Sequence, residues 1–529
     1  MIFFADKPAG VATHTSLSEA ERSQRLLEPA DGFIEMLTVR RDSKLWPIHR
    51  LDKETTGCLA YADTREDAEL ARVAFENRSV KKRYLFVTDR DSKTESFERE
   101  SSIEKSGKEY VSSNQGTPNS KTIFKKLESK SGFHLWEAFP ETGKAHQIRL
   151  HAQDSGIAIL GDSLHGGTKF PAMCLHSSDI ELPESLGKSG GKLRHTSEPP
   201  RYFTDLTLLE NQRLCRWLAA VDRRERLLRS TCFLFSEAPT TLRWIHSEGD
   251  PLRAEKIGDV VHFSWFSERL PNEQEWKSIH ALREIMGWNL WYFQQRGDRG
   301  REPNEEVIEP SSLELPVRWN ANEGEAKFEF RRDSGLSPGL FLDQRANREM
   351  VRQASPNKTV LNLFSYTGGF SVIAAQAGAQ KVVSVDVSKT FLEWTKRNFE
   401  LNSISLDNHE FRAMDAREYL AWAKKKELKF DLVICDPPSF GRSKTSVFKL
   451  EKDIGGLIAS LLAVTASGGT ILFSVNFEAW ENDEFIKRVR EATANTGRKA
   501  KLAAAPPPDW DFELPHTPRN MKAVLIELA

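Results

Sequence analysis

The chain has 529 residues, too many for one hydrophobic core, and its length suggests two to four domains. With 39% hydrophobic and 29% charged residues it has the make-up of a soluble globular protein, and no stretch reaches the roughly 20 apolar residues of a membrane-spanning helix. The net charge of −1 decides nothing about a polyanionic partner; basic clusters (Arg40-Arg41, Lys81-Lys82-Arg83, Lys125-Lys126, Arg223 to Arg226, Arg296 to Arg301) permit one, although each alone reads as a solvated face.

Taken in chain order, Met1 to Lys7 enter an extended segment at once, without the basic and apolar regions of a signal peptide. Cys58, Cys174, Cys215, Cys232 and Cys435 are scattered, which argues against a disulfide framework or a metal site and fits a reducing cytoplasm. Three blocks follow by composition. Residues 1–205 mix β-like runs (Arg83 to Val87, Phe133 to Ala138) with polar loops. Thr88 to Asn119 is polar enough to predict a mobile insertion, and Pro183 to Pro200 reads as a boundary. Residues 206–320 open with a predicted helix over Leu209 to Arg229 and hold seven of the thirteen tryptophans. Those rings could stack on bases, but filling the core of a small α+β domain is the plainer reading. Residues 321–529 alternate helical stretches with apolar runs at Thr359 to Phe364, Lys381 to Asp386, Phe430 to Cys435, Thr470 to Ser474 and Lys522 to Leu528. That alternation predicts an α/β block with a parallel sheet covered on both faces.

The first chemical signature is His49-Arg50-Leu51-Asp52, followed by Lys53-Glu54-Thr55-Thr56-Gly57. A carboxylate among basic residues before a tight turn suits a nucleophile, provided a cation holds it ionised and aimed. Arg149 is the best partner, in Thr142-Gly143-Lys144-Ala145-His146-Gln147-Ile148-Arg149-Leu150-His151. Strand alternation there would put Gln147, Arg149 and His151 on one face. Tyr84, after Lys82-Arg83, could stack on a base.

With the opening Asp6-Lys7-Pro8-Ala9-Gly10 and the run Ile159-Leu160-Gly161-Asp162, these motifs resemble the RluA-type pseudouridine synthases across most of residues 1–200. The resemblance implies an α+β synthase fold and no cofactor. It makes Asp52 the nucleophile, Tyr84 the stacking ring and Arg149 the partner of Asp52, with His49, Arg50, His146 and Gln147 around the substrate. Lys144-Ala145 stands where Arg-Thr is usual, and His165 replaces a usual tyrosine.

The second signature starts at Asn362 to Gly369, where an apolar strand turns into a helix through small residues that let backbone amides approach a ligand. Asp386 ends the next run, 17 residues past Gly369, where a carboxylate can accept ribose hydroxyls. Asp415 sits where an adenine amino group could be held, and Asp436-Pro437-Pro438-Ser439-Phe440 ends a fourth strand with an aromatic that could stack on a base. No Gly-x-Gly-x-x-Gly is present in this turn to favour a dinucleotide.

With Gly339 to Arg348 just upstream, this set resembles the class I S-adenosylmethionine-dependent methyltransferases, and among them the large-subunit ribosomal RNA enzymes (RlmI-like and RlmL/RlmK-like). The resemblance implies a Rossmann-like domain with a mostly parallel seven-stranded sheet, and S-adenosylmethionine as cofactor. Asn362, Ser365, Thr367, Gly368, Asp386 and Asp415 would bind it, while Asp436, Pro438, Phe440 and Asn476 would serve the base.

Methylating carbon 5 of cytosine needs a thiolate on carbon 6. Val475 stands where the RlmI-like enzymes carry that cysteine, so a nitrogen such as guanine N7 is favoured over carbon 5. The whole reads as a bifunctional enzyme acting on RNA, ribosomal by resemblance. The alternatives are one active half with the other kept as an RNA-binding scaffold, or a cytosine-C5 methyltransferase.

Overall fold

The computed structural model describes residues 1–15, 32–41, 44–189, 193–231, 240–296, 315–335, 337–442, 447–506, 509–512 and 521–529; Cys232 and the basic cluster beyond Arg296 lie outside them. Ten strands form the first sheet: β1 (Ile2–Lys7), β2 (Trp46–Pro47), β3 (Thr56–Ala62), β4 (Lys81–Thr88), β5 (Ser96–Ser106), β6 (Glu109–Ser113), β7 (Ser120–Lys130), β8 (Phe133–Pro140), β9 (Leu175–Glu181) and β10 (Arg194–Thr196). They run β1-β3-β9-β4-β8-β7-β5-β6, with β2 on β3 and β10 on β9. All of β3 is buried, and the helix Arg65–Glu76 sets Ala68, Ala71 and Ala74 against its cluster at a helical repeat.

Two stretches read from composition take definite form here. The polar stretch Thr88 to Asn119, predicted as an insertion, carries the β5–β6 hairpin, paired from Ser102↔Ser113 to Ser106↔Glu109, with Ile103 buried beneath its charged surface. The Pro-rich stretch after Pro183 still contributes β10 to the first sheet through the register Arg194↔Glu181.

The helix Gln212–Thr231 follows a short 3-10 turn at Leu206–Glu210, so it starts three residues later than predicted. Next comes a sheet of β11 (Thr241–His246), β12 (Leu252–Ile257), β13 (Val260–Phe266) and β14 (Leu290–Arg296), in sequence order, with β14 parallel to β13. The parallel step is made by the helix Glu273–Ile285, started by a capping box between Asn272 and Glu275. Period-two alternation divides this sheet. Leu252, Ala254, Val261, Phe263, Trp265, Trp291 and Phe293 join the cluster containing Trp217 and Leu218 of helix Gln212–Thr231. Arg253, Glu255, His262, Ser264, Gln294 and Arg296 take the other face. Trp217, Trp244, Trp265, Trp288 and Trp291 are buried, as the core reading of the tryptophans requires.

A hairpin of β15 (Arg318–Glu323) and β16 (Ala326–Arg331) leads into the last block. Its sheet contains β17 (Thr359–Leu363), β18 (Lys381–Asp386), β19 (Glu410–Ala413), β20 (Phe430–Cys435), β23 (Thr465–Asn476), β24 (Ala500–Ala504) and β25 (Met521–Leu528). A separate short hairpin pairs β21 (Phe440–Arg442) with β22 (Val447–Lys449). The seven strands lie in the order β19-β18-β17-β20-β23-β25-β24, parallel except for β25, which opposes both neighbours. Strand order reverses beside β17, the position where open α/β sheets bind ligands at their carboxyl ends.

Candidate active sites

Asp52 lies in the loop between β2 and β3, and two upstream groups fix that loop. Lys7, fully buried at the end of β1, donates to the carbonyls of Pro8, Lys53 and Thr55 at 2.8, 2.9 and 2.9 Å. Burial lowers its pKa to about 7. Thr13 Oγ1 bonds both the N–H and the carbonyl of Leu51, at 3.0 and 2.9 Å. Gly57 has φ +109°, and a Cβ there would lie 2.1 Å from the Ser177 carbonyl, so glycine lets β3 approach β9.

Arg149 bridges two carboxylates. Its Nη1 donates to Asp52 Oδ2 at 3.0 Å, while Nε and Nη2 grip Asp162 in a fork at 2.7 Å each. Burial pulls the Arg149 pKa down, but Asp162 and Asp52 together raise it. His146 Nε2 lies 3.9 Å from Asp52 Oδ1, and its Nδ1 shares a hydrogen bond with His165 Nε2 at 2.9 Å. Burial lowers the pKa of both imidazoles. Tyr110, on the β5–β6 hairpin, sets its ring 5.5 Å from that of His146. Tyr84 stands on β4 with its phenol pushed up to about 12 by burial, hydrogen-bonded to Ser177 and within the field of Asp52. Arg50 is exposed, within the field of His146.

The run from Gln147 is helix (Gln147–Asp154), not strand, entered through His146 at φ +57°. Residues four apart therefore share a face. Gln147 and His151 both meet Thr122 Oγ1, at 3.0 and 2.9 Å, while Arg149 points the other way, to Asp52. Gln147, expected near the substrate, instead bonds Lys121, Thr122, Thr142 and Lys144. His49 likewise turns inward: its Nε2 accepts from the Ala60 N–H at 3.0 Å, its ring stacks on Phe75, and burial lowers its pKa to about 3. Asp162 was visible in the sequence only as part of a motif; its grip on Arg149 emerges from the fold.

At the second site the turn Phe364 to Gly368 holds Phe364, Tyr366 and Gly368 in left-handed conformations at φ +56°, +49° and +81°. A Cβ on Gly368 would lie 2.3 Å from Thr395 Cγ2. Asp386 Oδ2 accepts from the Tyr366 N–H and Oδ1 from the Ser388 N–H, both at 2.9 Å; burial outweighs these amides and raises its pKa. Two residues expected at the cofactor are committed inside the fold. Asn362 donates to Ser371 Oγ at 2.8 Å, and Thr367 donates to the Gly339 carbonyl. Ser365 differs: among the described residues its buried hydroxyl oxygen has no hydrogen-bond partner. Asp415 caps the helix Ala416–Lys425 and pairs with Arg417 at 3.3 Å.

Asp436 follows β20. Its Oδ1 accepts from Ser474 Oγ at 2.8 Å and its Oδ2 from Gln344 Nε2 at 3.0 Å. Asn347 in turn donates to Gln344 Oε1 at 2.6 Å. Burial raises the Asp436 pKa to about 6, with Asp343 adding to the rise against Ser474, Gln344 and Arg348. Gln344 and Ser474 had no assigned role in the sequence; Ser474 faces Asp436 because Phe473 and Val475, its neighbours on β23, face the core. Pro438 is exposed, as are Asn476 at the end of β23 and Phe440, which is 52% exposed on the β21–β22 hairpin. Cys435 is buried in the core with its thiol pKa far above normal. Among the described residues no cluster of His, Cys, Asp or Glu is arranged to hold a metal ion, and no helix is long and apolar enough to cross a membrane.

A left-handed glycine turn, an orphaned buried hydroxyl at Ser365 and a carboxylate at the end of the next strand fit a nucleoside cofactor. Residues 254–513 match the family model described as S-adenosylmethionine-dependent methyltransferase, and residues 1–154 the one described as RNA pseudouridylate synthase. The chain belongs to the S-adenosylmethionine-dependent methyltransferase family and carries an RNA pseudouridylate synthase domain at its N-terminus.

It is 34% identical over 298 residues to YwbD of Bacillus subtilis, named as a candidate ribosomal RNA large subunit methyltransferase; the match covers 55% of this chain and 73% of YwbD. Over 162 residues it is 41% identical to ribosomal RNA large subunit methyltransferase K of Neisseria meningitidis serogroup B, covering 30% of this chain but only 46% of that protein. Among solved structures, SMU.776, a candidate methyltransferase in complex with SAH, aligns with a TM-score of 0.53 and 26% identity over 60% of this chain and 82% of that one.

Proposed function

We propose that the chain is a bifunctional RNA-modifying enzyme that isomerises uridine to pseudouridine at Asp52 and methylates a nucleobase beside Asp436. The observation that carries the first half is Arg149, fixed by Asp162 and reaching Asp52 at 3.0 Å. In that role Asp52 attacks C1′ as the C1′–N1 bond breaks; the freed uracil turns and its C5 bonds C1′, displacing the Asp52 carboxylate, after which C5 loses its proton and N1 gains one. The target must leave its stack, at a few kcal/mol, so unpaired sites are favoured. Tyr84 borders the base, and Arg50 and His146 stand beside the ribose and phosphate.

In the second half S-adenosylmethionine supplies the methyl group. Ser365, the Gly368 turn, Asp386 and Asp415 hold the cofactor, with Asn362 and Thr367 bracing the turn from below. Asp436 accepts a base N–H, while Pro438, Phe440 and Asn476 flank the ring. Guanine N7 or another nitrogen is the acceptor. The support is that Val475 is packed in the core and Cys435 is buried with a raised pKa, so neither offers a thiolate to carbon 6. The names of the relatives favour ribosomal RNA.

The test is mass spectrometry of nucleosides from ribosomal RNA incubated with the wild-type chain, Asp52→Ala and Asp436→Ala. Each variant should lose one product and keep the other. An unchanged pseudouridine yield with Asp52→Ala, or an unchanged methyl yield with Asp436→Ala, would refute the corresponding half.

A further inference from the structure

The polar face of the β11–β14 sheet looks toward the methyltransferase block. Arg296 Nη2 lies 3.3 Å from the Gly335 carbonyl, and Asp343 lies in the field of both Arg243 and Arg253. Most charges on this face are committed. Arg243 donates to Glu255 through Nε at 2.9 Å and again through Nη2, and its Nη1 meets His246 at 2.6 Å. His262 bonds Gln294 at 2.8 Å and approaches Glu255 at 3.7 Å, and Arg296 reaches Gln294 at 2.8 Å.

Arg253 differs. Among the described residues its Nε, shut off from solvent, has no acceptor, and the Phe266 ring lies 4.3 Å from the guanidinium carbon, while Glu255 and Asp343 act on it only through their fields. Burial, with Arg243 and Arg296 close by, lowers its pKa to about 9. A buried N–H left without an acceptor costs free energy, and the rest of this partly exposed guanidinium is open to a ligand. That cost is understandable where a ligand completes the site, because a guanidinium held flat offers a preformed fork to an oxyanion. Asp343 is within electrostatic reach of both Arg253 and Asp436.

We propose that Arg253 binds a phosphodiester of the RNA that flanks the base presented to Asp436. This rests on the methyltransferase reading above. The other oxyanion at hand, the cofactor's carboxylate, belongs with the backbone amides of the Gly368 turn, whereas Arg253 stands on β12 of a different sheet.

The experiment uses the full chain, tritiated S-adenosylmethionine and protein-free large-subunit ribosomal RNA. Arg253→Gln should raise KM for RNA about tenfold and leave KM for S-adenosylmethionine unchanged. The plot of log kcat/KM against log salt should become shallower by about 0.7, the loss of one single-strand phosphate contact. Arg253→Lys should recover the slope. Pseudouridine formation by the same preparations should not change, and the melting temperature of Arg253→Gln should not fall, since among the described residues the guanidinium makes no hydrogen bond to lose. Unchanged RNA KM and salt slope would overturn the proposal, and so would a rise in KM confined to S-adenosylmethionine. A fall of more than a few degrees in melting temperature would assign Arg253 to the core instead. If the wild-type chain binds S-adenosylmethionine yet methylates no RNA, the methyltransferase reading fails by itself. The salt slope of RNA binding, read by anisotropy on a labelled fragment of the same RNA, then decides on Arg253: equal slopes for wild type and Arg253→Gln reject it.

Discussion

Arg149 serves Asp52 and Asp162 at the same time, and the geometry depends on a planar fork. A lysine ammonium cannot hold the bidentate pair and also reach Asp52. Arg149→Lys should therefore slow pseudouridine formation at least about 100-fold and lower stability by about 2–3 kcal/mol, because a buried carboxylate loses its fork. Carbodiimide mapping of the RNA and urea denaturation measure the two effects.

Asp436 has a different logic. Its pKa is raised from the ordinary carboxylate range to about 6, so the folded protein holds this proton where the unfolded chain has released it. The ionised group therefore weighs against the fold above about pH 6, and the penalty disappears as pH falls toward 4. Asp436→Asn should be more stable than wild type at pH 8 and equal to it near pH 4, by thermal melts. Methyl transfer by the wild type should rise through about pH 6 as the carboxylate becomes an acceptor. Asp343, Arg348, Gln344 and Ser474 all face this group, so the apparent value belongs to the set.

Single elements carry as much of the site as single residues do. The Phe364 to Gly368 turn can place backbone and Ser365 at the sheet edge only because Gly368 occupies φ +81° against Thr395. Gly368→Ala should weaken S-adenosylhomocysteine binding at least about tenfold in calorimetry and cost about 1–3 kcal/mol of stability, from backbone strain and the Thr395 clash. At the synthase site the Gln147–Asp154 helix shows how a misread period misassigns residues. With a repeat of two, Gln147 and Arg149 would share a function. With a repeat of 3.6, Gln147 belongs to the scaffold and Arg149 to the site. The run is short, and its left-handed start at His146 has no glycine to announce it.

At the scale of the molecule, residues Asp509 to Phe512 tie the methyltransferase sheet to the rest. Trp510 is fully buried in the cluster shared by helix Gln212–Thr231 and the β11–β14 sheet. Asp511 accepts from the Arg243 N–H at 3.0 Å and pairs with Arg345 at 2.8 Å, next to Gln344, and Arg345 also holds Asp509 at 3.0 Å. Removing the indole leaves a cavity at this junction. Trp510→Ala should cost about 3–5 kcal/mol and split calorimetric unfolding into two transitions where the wild type shows one. A single transition in the variant would show that the ionic contacts suffice.

Motif order along the chain determined which two families its halves resemble, because turn and strand-end residues must recur at fixed places in the chain that builds them. It also determined the parallel sheet, since continuous apolar runs between helices have nowhere else to be buried. Only the tertiary structure decided which polar residues are free to act. His49, Gln147, Asn362 and Thr367 are polar residues inside the motifs, yet local hydrogen bonds absorb them. Asp162, Gln344 and Ser474 gain their meaning from partners up to 130 positions away, and Arg253 from a buried Nε without an acceptor among the described residues. Hydrogen-bond satisfaction belongs to the packed interior, and spacing along a sequence does not encode it.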